Sequence, residues 1–305
     1  MQKLEESHQL RVDASATKLP VSVIVPVRNE ARNLPRCLES LKEFGEVYVV
    51  DSNSTDETVE VACSFGAKVV QFHYPGGWPK KRQWAMDTLP LNYDWILLLD
   101  ADESLTPELA GEIQAATRRS DSDGYFIRVQ MYFLGRRLRH SGASFQKLSL
   151  FRRGKGRYEC RLKEQDPSMC DMEVHEHVVV DGAIGTLHYP LLHHNVESLS
   201  RYIQKHDEYS NWEARVWVHG DAKELPPSFW GTQAQRRRWL KQSFMRIPGA
   251  SVWFFFFKYI FSLGLLDGVP GLIYCAFQAV QVFHIKSKIY ELRRAKNVQS
   301  SGQNR

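Results

Sequence analysis

The chain has 305 residues, 43% hydrophobic and 25% charged, which excludes wholesale disorder and collagen-like repetition and suits one large domain or two ordinary ones. Forty lysines and arginines against thirty-five acids leave a net charge of +5, a mild preference for anionic partners. A mean hydropathy of −0.40 excludes a polytopic membrane protein but leaves room for local membrane contact, and five scattered cysteines without a C-x-x-C pair favour a reducing compartment.

Residues 1–19 mix charged and polar side chains without the apolar core of a secretory signal, and are expected to form a flexible lead. Val21 to Val27 is nearly continuous apolar sequence, the pattern of a strand buried on both faces of a parallel sheet. Leu34, Leu38 and Leu41 then recur at helical spacing. Glu46 to Val50 forms a second strand ending at Asp51, and Ser54-Thr-Asp-Glu57 has the pattern of a capping box opening the next helix. Lys68 to Phe72 is a third strand, Lys81 to Leu89 a short helix, and Trp95 to Leu99 a fourth strand ending at Asp100. Thr106-Pro107-Glu108 opens another helix. These βα repeats predict an α/β fold with a mainly parallel, Rossmann-like sheet, whose ligands bind outside the carboxyl ends of the strands.

Beyond Gly124 the pattern turns mixed, with strands over Gly124–Met131, Gln146–Arg152 and Glu173–Val180 and a long aromatic-rich helix over Val196–Val218. The organisation expected is a lead (1–19), a ligand-binding half (20–120), a specificity half (121–235) and a basic and apolar helical segment (236–305). Within 236–294, cationic Arg236 to Arg246 precedes Val252-Trp-Phe-Phe-Phe-Phe257 and further apolar runs broken by Lys258 and Asp267. Helices lying in a membrane interface, with their cations on lipid phosphates, are the expectation.

Asp100-Ala-Asp102 follows a buried strand directly. Two such carboxylates can share a hard divalent cation, although a helix-capping turn would use the same residues. Asp51 can bind a base or ribose, or cap the following helix. Neither a G-x-G-x-x-G nor a P-loop signature is present. Among His175, His177, His193 and His194, the first two alternate along a strand and cannot share one ion from it; a single one, His193 foremost, could support a diphosphate or metal, although a histidine satisfied in the core is the alternative for each.

Val21 to Glu30, Val49 to Thr58 and Leu98 to Glu103 together resemble the inverting family 2 glycosyltransferases with a GT-A fold. Gly135 to Arg139, Leu148 to Arg152, Val174-His-Glu176, Leu192-His193 and Leu266 to Gly271 are similar to the subgroup that builds lipopolysaccharide core and related envelope glycans. The resemblance covers about residues 20 to 290. It implies a nucleotide pocket lined by Pro26, Val27 and Glu30, with Asp51 on the base and Lys81, or its neighbours Lys80 and Arg82, near the nucleotide. It implies Asp100 on the ribose and metal, and Asp102 as the principal ligand of Mg²⁺ or Mn²⁺. Val27 replaces the usual small hydroxyl residue at its position.

The donor implied is a nucleotide-diphosphate sugar, with uridine as the base. The acceptor implied is a lipid-linked or lipopolysaccharide-type saccharide, at the inner face of the cell membrane, and no nucleic acid partner is expected. Glu176 is the candidate base, with Asp166 and Glu164 as competitors. The alternatives weighed are a nucleotidyltransferase, which would carry a Gly-rich basic loop where Pro26 to Glu30 stands, and a non-catalytic membrane-associated binding protein.

Overall fold

A computed structural model describes residues 18–163, 170–173, 176–195, 198–220, 226–231 and 233–303. Of the expected lead only Lys18 and Leu19 are among them, and Leu19 already opens the first strand.

β1 (Leu19–Val27) buries nearly every residue, as its unbroken apolar run demands. After α1 (Leu34–Glu39), β2 (Phe44–Asp51) pairs parallel to it with Val27 opposite Asp51. The capping box expected before α2 (Thr58–Ser64) does not form. Ser54 instead accepts from Asn29 N at 2.8 Å and donates to Asp51, while Asp56 Oδ1 accepts from Thr58 N at 3.2 Å. A tertiary partner in the β1–α1 loop thus outcompetes the local cap.

β3 (Lys68–Gln71), α3 (Lys81–Thr88) and β4 (Trp95–Leu98) complete the parallel half, β4 lying on the other side of β1. β5 (Glu103–Ser104) precedes α4 (Pro107–Thr117), which begins as expected with Thr106 Oγ1 accepting from Leu109 N at 3.2 Å.

The mixed half contains β6 (Gly124–Phe133), β7 (Arg136–Arg137), β8 (Phe145–Arg152), β9 (Gly156–Tyr158), β10 (Val178–Val180), β11 (Ile184–Thr186) and β12 (Leu191–Asn195). β8 enters antiparallel between β4 and β6, and β12 runs parallel to β6 and antiparallel to β5. The two halves therefore share one sheet, in the order β3-β2-β1-β4-β8-β6-β12-β5. Side chains alternate across it. Val23, Val25 and Leu97 join the core under α1 and α4, and Ile24, Val50 and Leu98 join the opposite one under α3. The strand expected over Glu173–Val180 is shorter, because Glu173 turns back to cap α3; Val174 and His175 lie outside the described residues.

The C-terminal part comprises α5 (Leu199–His219), α6 (Gln233–Met245), α7 (Ala250–Phe256), a π-helical turn at Phe257–Phe261, a 3₁₀ turn at Gly264–Asp267, and α8 (Gly268–Gln303). α8 packs on α5, where Tyr274 and Phe277 meet Tyr202 and Phe133, and Lys288 Nζ reaches Asp207 Oδ1 at 2.6 Å. By length and composition alone, Gly264–Lys296 could cross a membrane.

Of the cations expected to face lipid, Arg236, Arg237 and Arg246 are exposed, but others turn to protein. Arg238 is buried and grips Glu159 with both terminal nitrogens, at 3.1 and 2.5 Å, and Lys241 meets Glu213 at 2.9 Å. Lys258 and Asp267, which interrupt the apolar runs, also turn inward. Asp267 accepts from Arg139 N and His140 N at 3.0 Å each and from Ser141 Oγ at 2.9 Å; Lys258 Nζ donates to Ser141 O at 3.0 Å. A charge facing protein in this way has partners that lipid tails could not supply.

Candidate active site

The parallel register brings the ends of β1 and β2 to one edge of the sheet, and Asp100 follows β4 there. Facing this edge is the start of α3, where three consecutive cations, Lys80, Lys81 and Arg82, are all buried. Burial of a cation is tolerated only beside compensating oxygens, and each finds its own. Lys80 Nζ lies 3.2 Å from Glu176 Oε2 and donates to Met172 O at 3.1 Å. Lys81 Nζ donates to Val27 O at 2.9 Å and lies 3.0 Å from Asp171 Oδ2. Arg82 pairs through Nη2 with Asp100 and donates through Nη1 to Glu173 O at 2.9 Å. This triplet gathers the β1 end, Asp100 and the segment carrying Glu176 into one cluster. Sequence alone left open which of the three points inward; all of them do.

The electrostatics differ from one carboxylate to the next. Burial pushes the Glu176 carboxyl up to about 7, against the downward pull of the Lys80 ammonium. Its contact with Lys80 lacks hydrogen-bond alignment, so neither Glu176 oxygen has a hydrogen-bond partner among the described residues. Burial would raise Asp100 too, but Arg82 and then Lys147, whose Nζ lies 2.8 Å from Oδ2, outweigh it and hold the carboxyl well below the usual range. Burial raises the carboxyl of Asp102, with His193 and Lys205 opposing. His193 is also disfavoured as a cation by burial, yet Asp102 and Glu103 raise it to about 9.

The other expected residues have clear places. Asp51 accepts from Ser54 N at 3.0 Å, so it caps the turn that follows β2. Glu30 accepts from Lys205 Nζ at 2.8 Å and Arg201 Nη2 at 3.3 Å, which ties the β1–α1 loop to α5. Pro26 and Val27 close the edge beside Lys81, and Val27 O accepts from Ser52 N at 3.1 Å. Glu164 and Asp166, the competing candidate bases, lie outside the described residues.

For a divalent cation Asp102 fits better than Asp100: no lysine or arginine pairs with it among the described residues, and its neighbour is His193, an imidazole that holds a metal only when neutral. His193 Nδ1 is 3.5 Å from Asp102 Oδ1 and is a buried nitrogen without a hydrogen-bond partner. Asp100 is different, since Arg82 and Lys147 occupy both of its oxygens. Among the described residues no three His, Cys, Asp or Glu side chains are grouped to hold a metal. One or two protein ligands would nevertheless suffice for Mg²⁺, which takes much of its shell from water and substrate phosphates.

Sequence reasoning did not single out Lys147, Asp171, Glu173, Arg201 or Lys205. Their roles arise from pairing across the fold: Lys147 bridges Asp100 and Glu103, and Glu173 Oε2 and Oε1 accept from Arg82 N and Gln83 N at 3.1 and 2.9 Å.

Residues 22–174 match the model of glycosyl transferase family 2. The chain is 29% identical over 292 residues to the lipopolysaccharide core biosynthesis glycosyltransferase LpsC of Rhizobium meliloti (strain 1021), covering 90% of this chain and 93% of that protein. An uncharacterised glycosyltransferase of Rickettsia conorii is 26% identical over 92% of this chain and 94% of its own. Among solved structures, residues 1–349 of S. aureus TarS align over 90% of this chain and 91% of that one, at 16% identity and a TM-score of 0.43. The parallel half, the mixed continuation and the acidic strand ends make up a GT-A fold, and the chain belongs to glycosyl transferase family 2.

Proposed function

We propose that this protein transfers a sugar, with inversion, from a uridine diphosphate sugar to a lipid-linked saccharide of the cell envelope, at the inner membrane surface. The observation that carries this reading is the convergence of Lys80, Lys81 and Arg82 on Glu176, Val27 and Asp100. That convergence sets a buried carboxyl beside the strand edge where ligands of such sheets bind, with Lys80, Lys81 and Arg82 holding that edge together. The saccharide acceptor is drawn from the likeness to LpsC, a lipopolysaccharide core biosynthesis glycosyltransferase.

Glu176 takes the proton of the acceptor hydroxyl as that oxygen bonds to the anomeric carbon. The bond from that carbon to the diphosphate oxygen breaks on the opposite face, and its electron pair leaves with the nucleotide. A carboxyl held near 7 suits a general base that must be ionised yet basic at neutral pH. Asp102 would hold a divalent ion, which when bound would supply Lewis-acid neutralisation of the departing charge. Asp51, Glu30, Pro26 and Val27 form the floor on which base and ribose rest, with Lys81 holding that floor to α3. Asp100, clamped by Arg82 and Lys147, presents a fixed acceptor to a ribose hydroxyl.

Residues 236–294 hold the enzyme on the membrane. One side of α8 packs on α5, which carries Arg201 and Lys205 on Glu30 and Asp207 on Lys288, while Trp253, Phe257 and Phe261 are left exposed. A charged helix packed along α8 suits an arm lying in the interface better than one crossing the bilayer. The test is turnover of UDP-sugars on envelope lipid extracts, with and without Mn²⁺, in the parent chain and in Asp102→Asn. Metal-dependent transfer lost in the variant is expected, and a parent without metal-dependent turnover would overturn the reading.

A further inference from the structure

Asp267, Lys258 and Ser262 seat the hairpin tip formed by residues 134–142 against the turn that joins α7 to α8. Besides the Asp267 and Lys258 bonds, Ser141 N donates to Ser262 O at 2.8 Å, and an added Cβ on Gly268 would meet Arg136 Nη1 at 3.1 Å. Two segments about 130 residues apart in sequence thus form a single knuckle. Its surface is unusual in two respects.

The first is composition. Leu134, Phe261, Leu263, Leu265, Leu266 and Val269 are all exposed, Phe261 at 77% and Val269 at 68%. Arg136 and Arg137 are exposed beside them, and neither has an ion-pair partner among the described residues. The second is backbone strain. Leu134 and Leu263 adopt left-handed conformations, with φ of 48° and 57°. Glycine or asparagine fills such turns in water without penalty, whereas a leucine there is strained and also leaves apolar surface wet. Two exposed leucines in that conformation, both on one knuckle, suit a surface that does not face water in use.

We propose that this knuckle is a docking site for anionic phospholipid: the leucines and Phe261 enter the acyl boundary while Arg136 and Arg137 engage headgroup phosphates. The inference rests on the membrane association proposed above and adds a headgroup site in the acceptor half, outside the C-terminal arm. Because Asp267 bonds the tip to the arm directly, docking here fixes the tilt of the sheet over the bilayer. Cations flanked by apolar side chains match an anionic interface, where phosphates and hydrocarbon lie within one side-chain length of each other.

The experiment is sedimentation of the full chain with phosphatidylcholine vesicles, with and without phosphatidylglycerol. The parent is expected to prefer the anionic vesicles. In Arg136→Ala/Arg137→Ala that preference should fall by about fivefold per arginine, while binding to neutral vesicles is unchanged. Leu134→Asn relaxes the turn, so its Tm should hold or rise while binding to both vesicle types weakens. A double variant that keeps the full anionic preference overturns the headgroup site while leaving membrane association standing. A parent that binds neither vesicle sinks both. Displacement by inorganic phosphate at matched ionic strength would assign the arginines to a soluble phosphate and overturn the lipid site.

Discussion

With Glu176 as the proposed base, its pairing with Lys80 sets both a rate and a stability. Below about pH 7 Glu176 is protonated and cannot accept the hydroxyl proton, so kcat/KM should fall about tenfold per pH unit on that side and level off above it. Removing the ammonium 3.2 Å away removes the largest influence favouring the carboxylate. In Lys80→Met the acidic limb should therefore move up by about 1–3 pH units, the usual effect of one opposite charge at this range.

Stability gives an independent reading. The folded-state value of about 7 lies above the ordinary 4.5, so this group's contribution is fully present below about 4.5 and is lost as pH rises through 7. The loss amounts to about 3 kcal/mol. Glu176→Gln, which cannot ionise, should accordingly unfold at higher urea than the parent at pH 8 and show little difference at pH 4, while losing about 10²–10⁴ in kcat. An acidic limb that stays in place in Lys80→Met, or one that survives in Glu176→Gln, would refute the assignment of base and partner.

Three further outcomes follow from the same contacts. A saturating UDP-sugar with Mn²⁺ should stabilise the parent by about 2.7 kcal/mol at a hundred times its Kd, read as a thermal shift that Asp102→Asn and His193→Ala abolish. An undiminished shift in both variants would move the metal elsewhere. Arg82→Met takes the guanidinium from buried Glu173 and half-buried Asp100, which keep the α3 amides and Lys147 respectively, and should destabilise the fold by about 1.5–3 kcal/mol in urea titrations; a change under 1 kcal/mol (roughly the value of a surface pair) would contradict the role of Arg82 in that cluster. Asp267→Ala leaves the Arg139 and His140 amides and the Ser141 hydroxyl without their acceptor and should cost about 3 kcal/mol or more. Hydrogen exchange should then speed up at Arg139 and His140 first.

Much of the parallel half was legible from sequence, because a strand buried on both faces must be an unbroken apolar run and its end is marked by the first acid. Val21 to Val27 and Trp95 to Leu98 are of this kind, and Asp51 and Asp100 mark their edge. What stayed hidden was pairing at long range. Spacing cannot tell that Lys80 to Arg82 would each bury against a different oxygen, since Asp171, Glu173 and Glu176 come about 90 residues later. Ser54 illustrates the limit from the other side: its local pattern was right for a cap, but Asn29 and Asp51 offered better partners once the loops met. In the same way Arg238 and Lys241 look like members of a lipid-facing row until Glu159 and Glu213 are brought beneath them, while Arg236 and Arg237 of the same helix stay exposed.

The packing of α8 against α5 bears on how this enzyme can be handled. Tyr274 and Phe277 close the cluster around Tyr202 and Phe133, and α5 in turn carries the cations that hold Glu30 and the β1–α1 loop. Cutting the chain ahead of α8 to obtain a smaller catalyst would peel a wall from the same body that holds the β1–α1 loop. The intact polypeptide is therefore the unit to purify, and loss of activity on trimming would report a broken scaffold as readily as the loss of the proposed anchor.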